Sequence, residues 1–158
     1  MRIDGRCHCG AVAFEAEIDE GQTFLCHCED CQIFSGAPFR VRILASPDRF
    51  RVTRGSPRRY VKTAESGARR AMHFCEACGT QLYGTDEHDA SLPVSISGGA
   101  VRQKARLVPV AQAWCRSRLP WLARLDEIQT LDRQVYDGGD PRGRPDYRPA
   151  RERGDSTC

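Results

Sequence analysis

The stretch "LCHCEDCQ", Leu25–Gln32, places three cysteines, Cys26, Cys28 and Cys31, within six residues. A structural zinc takes four protein ligands, whereas a catalytic zinc takes three and keeps one position open. How these three thiols are completed therefore decides what ties the chain together and what chemistry it can do. Cys28 and Cys31 stand at i and i+3, one face of the first turn of a helix. Cys26 precedes them in extended chain, on the same side as Cys28, so all three can point at one metal. "CEDCQIFSG", Cys28–Gly36, reads as that helix: its first turn is acidic, and Gly36 and Pro38 end it.

Four more cysteines lie in "CHCG" at 7–10 and "CEACG" at 75–79. Here the second cysteine of each pair, Cys9 or Cys78, is followed at once by glycine. A glycine there can take positive φ and let backbone amides turn toward a bound sulfur, the shape of a metal knuckle between strands. Two knuckles, Cys7 with Cys9 and Cys75 with Cys78, make a closed four-thiolate site whose binding energy is also folding energy. The middle group lacks the glycine, since Gln32 follows Cys31. It is left with three ligands and an open position, the layout of a catalytic zinc. A second structural zinc, closed by a fourth ligand from elsewhere, is the competing reading. The remaining candidates read as bystanders. His27 alternates away from Cys26 and Cys28 and is expected at the surface. His8 is expected exposed and His88 in a loop. His73 could share the side of Cys75 but reads as a hydrogen-bonded histidine. Cys115 reads as a small core residue.

The chain has 158 residues and nine cysteines. That length suits one domain with a core of its own, so the cysteines are not needed as staples. The N-terminus has no apolar run of the signal-peptide type and no stretch is long enough to span a membrane. The expected location is the cytoplasm, a reducing compartment where cysteine clusters read as metal sites. The net charge of +3 is uneven: residues 1–39 hold two basic and seven acidic residues, and residues 40–70 hold ten basic and two acidic. The basic block reads first as arginines on the wet faces of strands, and second as a surface for anions or nucleic acid.

Most of the chain alternates with period two. "AVAFEAEI" (Ala11–Ile18), "FRVRIL" (Phe39–Leu44) and "RFRVTR" (Arg49–Arg54) read as half-buried antiparallel strands, and "RRYVKT" and "ARRAMHF" continue the pattern. Turns are expected at Gly55–Pro57 and Glu65–Gly67. "WLARLDEIQTLD", Trp121–Asp132, is either a second helix or an ordered segment packing Trp121 and Leu125. Residues 137–158 are rich in Gly, Pro and charge and read as a disordered tail beyond a single domain of 1–136. The fold class is mainly β: small antiparallel sheets held by zinc knuckles, with one short helix after the middle cysteines.

The order C-x-C-G, C-H-C-x-x-C, F-C-x-x-C-G-T-x-L resembles the glutathione-dependent formaldehyde-activating enzyme family, which also includes centromere protein V. It runs through Cys7–Gly10, Cys26–Cys31 and Phe74–Leu82, with "SGAPF" and the tryptophans Trp114 and Trp121 in support. The resemblance implies a fold of coiled sheets called a β-tent. It also implies a structural zinc on Cys7, Cys9, Cys75 and Cys78 and a second, catalytic zinc on Cys26, Cys28 and Cys31. The implied activity is carbon–sulfur bond formation or cleavage between a glutathione-like thiol and a small aldehyde such as formaldehyde. The rivals are a non-catalytic zinc module for protein or chromatin, and a thiol redox protein. The second lacks the βαβ context that its CxxC pairs would need.

Overall fold

Period-two alternation builds most of the structure, which a computed structural model describes for residues 1–130; the stretch read as a tail lies outside them. Ten strands are found among the described residues: β1 (Arg2–Arg6), β2 (Ala13–Glu17), β3 (Thr23–Cys26), β4 (Arg40–Ala45), β5 (Phe50–Arg54), β6 (Arg58–Thr63), β7 (Arg69–Phe74), β8 (Gln81–Asp86), β9 (Val94–Ser97) and β10 (Ala111–Ala113). The α-helix among them is α1 (Glu29–Ser35), and short 3-10 turns complete the secondary structure. The protein is thus mainly β. Strands β1-β2-β5 form a three-stranded sheet, and β10-β3-β4-β9-β8-β7-β6 form a seven-stranded one. Pairing is antiparallel except for β10, which lies parallel to β3 with Ala113 opposite Cys26.

In β2, Phe14 and Ala16 are buried while their neighbours face outward, as alternation requires. Phe14, Ile43, Leu82, Ile96 and Val101 are fully buried in the core, with Cys7 and Cys75 among them. Each large side chain so buried contributes about 1.5–3 kcal/mol. Three rings run through this core from one sheet to the other: Phe14 to Phe50 at 5.7 Å, and Phe50 to Tyr83 at 4.6 Å.

The arginine-rich strands divide in two. In β5 and β6 the expectation of wet faces holds: Arg51 and Arg58 are exposed and paired with Glu15 and Glu76. In β4 it fails. Arg40 is only 5 % exposed, and Arg40 and Arg42 line a cavity instead of open surface. The reason is position, because β4 lies inside the large sheet between β3 and β9.

The chain divides into two compact units, Met1–Leu119 and the segment from Pro120 onward. All ten strands lie in the first. The second begins with 3-10 turns over Pro120–Glu127, interrupted at Arg124, so of the two readings of Trp121–Asp132 the α-helix does not form in the described part. Trp121 and Leu125 are 46 % and 48 % exposed, so neither is the packing anchor expected of it. No helix among the described residues is long and apolar enough to cross a membrane.

Candidate functional site

Cys7 follows β1, Cys75 follows β7, and Cys9 and Cys78 stand in the tight turns that come next. Their four sulfurs lie within 4.8 Å of one another. Cys7 and Cys9 Sγ are 3.5 Å apart, and Cys9 and Cys75 Sγ 3.7 Å. Four thiolates at about 2.3 Å from one ion stand about 3.8 Å apart, whereas a disulfide brings sulfurs to about 2.05 Å. The spacing suits a shared cation. Both turns use the predicted glycine conformation, with φ of 79° at Gly10 and 68° at Gly79. The amide of Val12 donates to Cys7 Sγ at 3.2 Å. The hydroxyl of Thr80, 3.2 Å from Cys78 Sγ, and the amides of Cys9 and Thr80 hold the Cys78 thiol down to about 5. Thr80 also accepts the amide of His8 at 3.1 Å, joining the two turns, a role its sequence position did not reveal.

A Cβ at Gly79 would meet no atom within 4 Å. Its cost is therefore the positive φ alone, about 1–2 kcal/mol. Gly79→Ala is expected to lower the melting temperature by several degrees with the metal content unchanged. Loss of metal in that variant would show that the turn sets the ligand geometry itself.

The second group is Cys26, Cys28 and Cys31, again with all sulfurs within 4.8 Å. Cys26 ends β3, Cys28 is the residue before the first turn of α1, and Cys31 sits in that turn. Among the described residues no fourth histidine, cysteine or carboxylate joins the group. Contact with the Cys31 thiol, aided by the amide and thiol of Cys28 and the charge of Arg42, holds Cys26 down to about 5 against its burial. Cys31 is pushed up by Cys26 and by burial, and Cys28 chiefly by burial. The helix stops where the sequence requires: Gly36 takes φ 61°, and the amides of Gly36 and Ala37 donate to the carbonyls of Ile33 and Gln32.

These three thiols face a cavity of about 160 Å³. Phe34 and Trp114 form apolar wall, and Arg40, Arg42, Lys62 and Arg70 bring positive charge. Trp114 adopts φ 60°, and a bulky residue keeps such backbone strain only where its surroundings impose it. The guanidinium of Arg116 lies 4.7 Å from its ring and pairs with Glu65. Burial brings Arg40 down to about 10, although the thiols of Cys31 and Cys26 oppose the shift.

Residues 2–117 match the glutathione-dependent formaldehyde-activating enzyme family. The chain belongs to this family. The chain is 32% identical over 80 residues to an uncharacterized lyase of Schizosaccharomyces pombe, an alignment covering 51% of this chain and 55% of the relative. The chain thus spans little more than half the length of that curated relative. A crystal structure of a Rhodobacter sphaeroides protein shares the fold, with a TM-score of 0.54 and 21% identity over 70% of this chain and 99% of that one.

The other candidates in this formaldehyde-activating family member divide as follows. His8 is exposed and His88 lies in the bend after β8, as expected. His73 stacks on Tyr83 at 4.3 Å, and its Nε2 lies 3.2 Å from Thr85 Oγ1, so it behaves as a hydrogen-bonded histidine. His27 overturns its expectation: it is 1% exposed. Strand β10 covers that side, with Gln112 Oε1 at 2.9 Å from His27 Nε2 and the Ala113 carbonyl accepting its amide. Cys115 is exposed and not a core residue, because it stands in a surface 3-10 turn.

Proposed function

We propose that this chain is a zinc-dependent carbon–sulfur lyase or synthase-type enzyme, working in a reducing compartment such as the cytoplasm. It would join a glutathione-like thiol to a small aldehyde such as formaldehyde, or release the two again. The observation that carries this reading is the three-thiol group facing a cavity lined with cations. On this reading Cys7, Cys9, Cys75 and Cys78 hold a structural zinc, and Cys26, Cys28 and Cys31 hold a second. Bound by three thiolates, zinc supplies a mild Lewis acid that favours the deprotonated form of a thiol brought to its free position. The protein's own residues do the rest. Arg40, almost wholly buried in the wall beside the three thiols, favours an anionic thiol at the site. Phe34 and Trp114 give the cavity an apolar wall beside the thiols. Membership of the family and the lyase name of the yeast relative support the same reaction class.

A non-catalytic module for nucleic acid finds less support. The exposed arginines Arg51, Arg58 and Arg59 face Glu15, Glu76 and Glu87 and are already paired. Two measurements separate the readings. Elemental analysis is expected to find two zinc ions per chain, and exchange spectroscopy is expected to show faster exchange between glutathione and formaldehyde when the protein is added. No acceleration with any of several thiols and aldehydes, together with nucleic-acid binding of steep salt dependence, would favour the module.

A further inference from the structure

Six charged side chains line the cavity beside the three thiols: Asp30, Arg40, Arg42, Lys62, Glu65 and Arg70. Their partners separate them. Lys62 pairs with Asp30, Arg70 with Asp86 at 3.2 Å, and Glu65 with Arg116. Arg40 is almost wholly buried, and its Nη2 donates to the Ser95 carbonyl at 2.8 Å and to Ser97 Oγ at 3.1 Å. It stands directly opposite Cys26 across the β3–β4 register. A guanidinium so buried needs a neighbouring opposite charge, and the thiolate group is that charge. Three thiolates around a divalent ion leave one negative charge, which one guanidinium balances. Arg40 thus serves as the counter-ion of the thiol group, held through Nη2 while its Nε has no partner among the described residues.

Arg42 remains. It lies two residues along the same face of β4 and is only partly buried. Its Nε donates to Ser95 Oγ at 3.0 Å, which fixes the plane of the guanidinium. Among the described residues it makes no ion pair, so the fork of its terminal nitrogens is uncommitted. A fixed guanidinium fork matches a carboxylate bidentately. With one uncommitted cation, and with Asp30 and Glu65 already in the wall, one carboxylate at Arg42 suits the space better than a doubly charged group such as a phosphate. We propose that Arg42 anchors a carboxylate of the ligand in this pocket. Resting on the function proposed above, which already names a glutathione-like and so carboxylate-bearing thiol, this makes Arg42 the residue that selects such a thiol against neutral ones.

The experiment compares three ligands on the zinc-loaded protein by calorimetric titration: 3-mercaptopropionate, 2-mercaptoethanol and S-methyl-3-mercaptopropionate. The wild type is expected to prefer the carboxylated thiol over the neutral one by about 10- to 100-fold, the range of a hydrogen-bonded charge pair. Arg42→Gln is expected to remove that preference and leave the affinity for 2-mercaptoethanol in place. Zinc content and melting temperature identify a variant that has lost its fold. In that event Arg42→Lys, which keeps the charge and loses the fork, carries the same comparison. A wild type without preference, or a variant that keeps it, overturns the proposal. So does an equal weakening of both thiols, which would put Arg42 on the sulfur and not on a carboxylate. If the S-methyl compound binds as tightly as the free thiol and loses its affinity in the variant, Arg42 keeps its role while the carbon–sulfur reading falls.

Discussion

Cys78→Ser is expected to abolish most of the soluble yield and to lower the melting temperature of what remains by tens of degrees. The four-thiol group draws on distant parts of the chain: Cys9 and Cys75 are 66 residues apart. It also joins the two sheets, since Cys7 follows β1 of the small sheet and Cys75 follows β7 of the large one. A cross-link closing a loop of this length removes about 4 kcal/mol of chain entropy from the unfolded state. Structural zinc in a full thiolate set contributes more, of order 10 kcal/mol apparent. A domain of this size has about 5–15 kcal/mol in total. On the zinc reading, loss of one ligand also leaves Cys7 and Cys75 in the core without the metal they would share. Thermal melts and zinc per chain measure the effect. A variant that melts like the wild type and keeps two zinc ions would show that this group does not hold the sheets together.

The sequence made the local features legible. The turns at Cys9-Gly10 and Cys78-Gly79 need φ values that only glycine adopts easily, and this separates the two thiol sets without any knowledge of the fold. The end of α1 at Gly36 follows from the same property. What stayed hidden depends on partners far along the chain. His27 alternates with Cys26 and Cys28, so local geometry sends it away from them. Whether that direction meets water is decided by β10, which arrives 85 residues later. Arg40 and Arg42 alternate with apolar residues, and alternation cannot distinguish a wet face from a face lining a polar cavity. Strand β9 alternates in sequence, Val94-Ser95-Ile96-Ser97, yet all four residues are buried, so its serines serve Arg40 and Arg42 from within and do not form a wet face. The candidate site was therefore readable as a set of thiols, while its charged wall was not.

Cys28→Ser is expected to leave the fold standing with about one zinc ion per chain and no activity. Cys26, Cys28 and Cys31 lie within six residues, so a metal here closes almost no chain and stores little loop entropy. The segment is held by other means. Gln32 Nε2 donates to the His27 carbonyl at 2.8 Å and to the Ser117 carbonyl at 2.9 Å. His27 is buried edge-on against Phe39. The end of α1 is fixed by Gly36. Cys28 itself makes no side-chain hydrogen bond to the helix it precedes, and serine is a preferred residue at that position. The substitution can thus strengthen the helix start by about 1 kcal/mol while removing a ligand. A melting temperature within a few degrees of the wild type, with thiol–aldehyde exchange reduced to the uncatalysed rate, is the expected pair of results. The contrast with Cys78→Ser is what makes the pair decisive, since both variants exchange one thiol for one hydroxyl. If Cys28→Ser unfolds the protein as badly as Cys78→Ser, the three-thiol group is structural, a further ligand completes it, and the cavity beside it loses its claim to be the active site.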